Sequence, residues 1–185
     1  MSNDDTIVWD KDYWLTWDDF RGTPDYKNPH KARSYVGIRC KYQPELIKTK
    51  TKSKFAFKNT HPYTVFFRTT SWVKPEMTSG DEISRKLLKH EQVHFDAAHD
   101  IAQRVYSRKL AELVSKKYST KGKTTQEIEV NRKKESERII RKILEDANRE
   151  LIEFHEKYDE ETKHGIVSQI QERYNARFVA LRSQS

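Results

Sequence analysis

The hydrophobic period of this chain changes once, at Pro75, and that change limits the folds open to it. Before Pro75, β-formers cluster in short runs separated by turn residues. Arg33 to Tyr42 carries Tyr35, Val36, Ile38 and Tyr42, and Phe55-Ala-Phe57 and Tyr63 to Val73 are two further strand-like runs. Asn59-Thr-His-Pro62 is predicted as the turn between these last two. Leu15 to Pro24 reads as an anchored loop with Trp17 and Phe20 plugged into the core. After Pro75 the apolar residues recur at spacings of 3 and 4, the mark of amphipathic helices. Thr78 and Ser79 are N-cap candidates for a long helix running to about Tyr118, and Ser119 to Lys123 breaks it. Thr124-x-x-Glu127 is a capping box for a second long helix to about Lys157, with the stripe Ile140, Leu144, Ala147, Leu151, Phe154 and Tyr158. A loop around Thr162 to Gly165 leads to a last helix bearing Ile170, Tyr174 and Phe178. The expectation is one α+β domain over residues 1–185. A small, mainly antiparallel sheet fills residues 1–76, and long helices fill residues 77–185.

Composition removes several classes. With 185 residues, 8 Phe, 9 Tyr and 4 Trp, the chain can bury a core and is not disordered. No run approaches 18 apolar residues, so no membrane span is expected. Cys40 is the only cysteine, which excludes an internal disulfide. Met1 to Asp5 lacks an apolar leader region, so the chain reads as cytoplasmic, or as periplasmic or envelope-bound if a leader was removed. The net charge of +8 peaks at Lys48 to Lys54. No aromatic residue interleaves these lysines, so they read as a solvated hairpin and not as a specific nucleic-acid surface.

The chemistry concentrates at His90-Glu-Gln-Val-His94. Positions i and i+4 share a helix face, so both imidazoles can reach one ion, and zinc binds imidazole readily while a catalytic site keeps one position for water. Glu91 is then placed as a general base. By chance this pattern is expected about 0.02 times in a chain of this composition, which is suggestive and not decisive. Its placement adds weight. Both histidines fall on the apolar stripe Ile83, Leu87, Ala98, Ile101 and Val105, and two buried imidazoles need partners that a metal supplies. His99 lies about 180° from His90 around the helix and is excluded as a ligand. No glycine follows His94 to make the turn of a metzincin.

Four pieces, in order and spread over most of the chain, resemble a bacterial family classed from sequence as zinc-dependent peptidases without an established substrate. They are Leu15-Thr-Trp-Asp-Asp-Phe-Arg-Gly-Thr-Pro24, the strand ending Ser71-Trp72-Val73, His90-Glu-Gln-Val-His-Phe-Asp96, and Tyr158-Asp-Glu-Glu-Thr-Lys-His-Gly165. The resemblance implies a zincin-like fold and a Zn2+ cofactor, but no substrate. Its members look like exported or envelope proteins, from which this chain's missing leader departs.

A catalytic zinc normally has three protein ligands. His164 is the favoured third, because it sits in a loop just past the second long helix, in the family-like piece, beside a permissive Gly165. A helix carboxylate such as Glu145 or Glu153, or His155, stays open as the alternative. Tyr158 is then a candidate for transition-state stabilisation, and Asp96 and Asp159 for orienting ligands through their other ring nitrogen. The expected function is hydrolysis of peptide bonds in a protein or peptide substrate, with the strand Phe66 to Ser71 above the site helix as a pairing edge. The competing reading is a catalytically silent, zinc-stabilised binding or scaffold protein. A basic nucleic-acid binder ranks last, since it leaves the histidines unexplained.

Overall fold

A computed structural model of the chain describes residues 4–48 and 53–184. The architecture is α+β. Six strands, β1 (Thr6–Val8), β2 (Ala32–Arg33), β3 (Val36–Lys48), β4 (Ser53–Phe67), β5 (Trp72–Val73) and β6 (Tyr118–Thr120), accompany three helices, α1 (Glu82–Ser115), α2 (Thr125–Thr162) and α3 (Ser168–Gln184). β3 and β4 form a long antiparallel hairpin; β1 and β6 pair with opposite ends of β4. β2 and β5 make a separate two-stranded ladder.

The predicted turn at Asn59 to Pro62 is a correction. Asn59 adopts φ 48, yet the chain runs on as one strand, and the irregularity is absorbed by a register shift opposite, between Lys41 and Gln43. A bulge inserts an extra residue without reversing the chain. Pro62 pairs with Cys40 in the stretch of β4 between its β6 and β1 partners, where a missing N–H does least harm. The tip of the hairpin, with most of the Lys48 to Lys54 run, lies outside the described residues.

Helix α1 is the spine. Its N-cap is Asp81, which accepts from the Ser84 N–H, three residues past Thr78 and two past Ser79. It ends at Ser115, and Tyr118 to Thr120 is an unforeseen strand that returns to β4. Four clusters pack along α1. Leu87 and Phe95 meet Leu15, Phe20 and Phe66; Ala98, Ile101 and Val105 meet Ile38, Ala147 and Leu151. Tyr106 and Leu113 meet Phe55, Phe57 and Ile140; Val93 and Ala97 meet Tyr158 and Phe178. Ile83, expected in the buried stripe, is 67% exposed because the stripe outruns its cover at the first turn.

The capping box of α2 forms as read, Thr124 with Glu127, but the helix continues to Thr162. α2 runs antiparallel to α1. Lys109 pairs with Asp146 and Arg108 with Glu150, while the far end of α2 brings Asp159 to His90 and His94. That extra turn at the end of α2 builds the site.

Candidate metal centre

His90, Glu91 and His94 are all buried on α1. The His90 and His94 Nε2 atoms are 3.2 Å apart, and Asp159 Oδ1 lies 3.0 Å from the first and 3.1 Å from the second. The three residues form a group that could hold a metal ion.

The chemistry of the three donors fits a cation better than protons. The Gln171 amide donates to Asn175 Oδ1 at 2.8 Å, and its Oε1 accepts the Tyr158 hydroxyl at 2.7 Å. Oε1 therefore faces His90 Nδ1, 3.2 Å away, and takes the ring proton there. Thr162, whose hydroxyl is committed to the Tyr158 carbonyl at 2.6 Å, offers Nδ1 a second acceptor at 3.4 Å. With a proton held on Nδ1, His90 presents its Nε2 to the carboxylate and to His94.

Other proton placements do no better. Three atoms in mutual contact cannot be paired donor to acceptor on every edge while Asp159 is ionised, because two of the three must share a role. Asp159 is ionised. Burial works to raise its carboxyl, but hydrogen bonds to His90 and His94, and their charge, hold it well below the usual carboxylate range. A cation at the centre satisfies all three edges at once. Zinc–nitrogen distances near 2.05 Å in a tetrahedron put ligand atoms about 3.3 Å apart, close to the spacings observed. The outer hydrogen bond from His90 Nδ1–H is the support that metal-bound imidazoles use to fix their tautomer.

A cavity of about 540 Å³ opens over this triangle. Its walls include Ala32 to Val36, Glu91, His155 and His164. Glu91 is 3% exposed, and the Ser34 hydroxyl donates to its Oε2 at 2.6 Å. His155 packs its ring 4.6 Å from that of His94; burial, with the charge of His94, pushes it down to about 3, so it stands as a neutral wall.

Several predicted site residues have other duties. His164 Nδ1 is 3.7 Å from Asp159 Oδ1, beyond hydrogen-bond reach, and its side chain is half-exposed against the ring of His30. It borders the triangle, in which Asp159 stands nearer to both imidazole nitrogens. Lys163, His164 and Gly165 all take positive φ, which turns the chain at the end of α2. Gly165 is required there: a Cβ would stand 3.2 Å from His90 Cβ. Glu145 and Glu153 are exposed and line no part of the cavity; the α2 carboxylate that reaches the triangle is Asp159.

Tyr158 is fully buried, its ring stacked 4.6 Å from His90 and its hydroxyl spent on Gln171, so it positions His90 and does not reach the cavity. Asp96 touches no ligand. It accepts from Trp9 Nε1 and the Gln92 amide and forms a two-pronged ion pair with Arg182, on the other side of α1. His99, excluded by phase, stacks on Trp9 at 3.6 Å. The pairing edge also moves. Phe66 is core, and the segment beside Glu91 is Ala32 to Val36.

Ser34, Thr162 and Gln171 were missed. Gln171 left a trace, since it occupies the 3–4 stripe with Tyr174 and Phe178 where an apolar residue is expected. Ser34 left none. Compared with protein-family models, with curated proteins and with solved structures, the chain matches none.

Proposed function

We propose that this protein is a zinc-dependent peptidase with a zincin-like active site, as its resemblance in motif implies. His90, His94 and Asp159 would hold the Zn2+, which when bound supplies Lewis-acid activation of a water molecule. Glu91 follows the first ligand in sequence and lines the same cavity. Ser34 engages its Oε2 and leaves Oε1 to accept the water's proton. The carboxylate then returns that proton to the leaving amine, so one side chain serves as base and acid in turn. His90 is held in one tautomer throughout by Gln171 and Thr162. The wall from Ala32 to Val36 runs along the cavity, where an extended peptide can lie against it.

The observation that carries this reading is the buried triangle of two imidazole nitrogens and a carboxylate oxygen in one cavity with Glu91. Its test is Glu91→Gln. The variant should keep its fold and its zinc while losing at least about 100-fold in cleavage of a peptide library. Wild type cleaving no faster than Glu91→Gln would overturn the enzyme.

One observation favours a second reading, a closed structural zinc site in a scaffold protein. His164 stands close enough to the triangle to take the fourth position after a small side-chain movement. Four protein ligands would leave no place for water. Inactive wild type whose zinc is lost on His164→Ala would select that reading.

A further inference from the structure

A second cavity of about 560 Å³ adjoins the first and shares His30, Ala32, Glu91 and His164 with it. Its floor is apolar, made by Pro29, Met77, Leu87 and the two lips Ile83 and Ile166. Those lips belong to different elements, the first turn of α1 and the turn after α2, and are 67% and 77% exposed. Isolated exposed isoleucines are ordinary; two lining one concavity together with Glu91 make a candidate binding surface. Lys31, Lys86 and Lys163 stand round the rim. Lys31 and Lys86 have exposed partners in Glu76 and Glu82, and Lys163 has no ion pair among the described residues. The only carboxylate in the lining is Glu91, which faces Ser34.

Resting on the peptidase reading, we infer that this cavity is the specificity pocket, and that the substrate is a polypeptide with a large apolar side chain next to the scissile bond and an acidic residue beyond it. Continuity with the metal cavity through Glu91 and His164 puts the occupant within one residue of the reacting carbonyl. The apolar floor selects a side chain of leucine or phenylalanine size, and Lys163, the rim lysine without an ion pair among the described residues, selects the acidic flank.

The test uses zinc-loaded full-length protein and N-acetylated amino-acid hydroxamates, whose head group binds zinc without turnover. The leucine and phenylalanine compounds should bind about 10- to 100-fold tighter than the glycine compound. Ile83→Asn and Ile166→Asn, at exposed positions that leave the core intact, should remove that preference while leaving glycine hydroxamate unchanged. An aspartyl extension should bind tighter than a lysyl one, and the difference should shrink in about 0.5 M salt. Equal binding of the glycine and leucine compounds, or a preference that survives both isoleucine substitutions, would overturn the pocket and leave the metal centre standing. Binding of no hydroxamate to protein shown to contain zinc would instead overturn the open catalytic centre itself, and the pocket with it.

Discussion

Asp159→Asn is the sharpest probe of the centre, because it separates Asp159 from His164 as the third ligand. Folding-coupled zinc sites with four ligands bind with about 10–16 kcal/mol, or about 3 kcal/mol per ligand. At 1.4 kcal/mol per tenfold, loss of one ligand weakens binding by about 100- to 1,000-fold. The amide keeps the size of the carboxylate but not its charge, and at 3.0–3.1 Å from both imidazole nitrogens that charge is the main anionic contribution in the triangle. His164 is 3.7 Å from Asp159 Oδ1 and half-exposed, so His164→Ala should cost less than about tenfold. Competition against a chromophoric chelator at fixed pH reads both affinities, with circular dichroism confirming the fold. Zinc affinity of Asp159→Asn within tenfold of wild type, or a loss in His164→Ala as large as in Asp159→Asn, would refute the assignment.

Two further outcomes test the surroundings. Arg182→Met should destabilise the protein by about 3–5 kcal/mol in chemical denaturation, because it strands the buried Asp96 carboxylate and releases the carbonyls of Asp10, Lys11 and Tyr13; a loss under 1 kcal/mol would mean the pair is not buried. Burial against Trp9 holds His99 down to about 4 from 6.5, so the unfolded chain binds its proton first on acidification, and stability should fall as pH drops from about 6.5 to 4. The whole effect is at most about 3 kcal/mol, less for the part of the ring that stays solvated, and His99→Gln should flatten the slope over that window; an unchanged slope would show that His99 is not its source.

The parts of this molecule legible in its sequence are those written in local chemistry. Thr124 and Glu127 mark the start of α2 because a capping box is a four-residue event, and the stripe from Ile140 to Tyr158 marks its buried face because helical phase is local. That His90, Glu91 and His94 share a buried stretch of α1 was legible for the same reason. What failed was long-range. β6 is three residues whose strand character comes from pairing with β4 more than sixty residues away. The bulge at Asn59 and Thr60 resembles a turn in local sequence and differs in that β3 stays paired across from it on both sides.

The third ligand shows the same boundary in finer detail. Reading α2 as ending near Lys157, with a loop around Thr162 to Gly165, makes a loop histidine beside a glycine the natural ligand. In the structure α2 continues to Thr162, which fixes Asp159 one residue past Tyr158 and seven past Ile152 on a regular helix. Tyr158 points into the core against His90, so Asp159, rotated about 100° from it, faces the cavity rim. His164 is carried past the triangle by the left-handed turn at Lys163 and His164. Gly165 serves a purpose after all, but a steric one: a Cβ there would stand 3.2 Å from His90 Cβ, so its absence lets the turn lie close beside the ring that bonds Gln171 and Thr162. Across α1, the Asp96–Arg182 pair ties the same helix to α3 and the N-terminal loop. His90 is thus held by a buried hydrogen-bond network, while an ion pair on another face of α1 anchors the helix that carries both imidazoles.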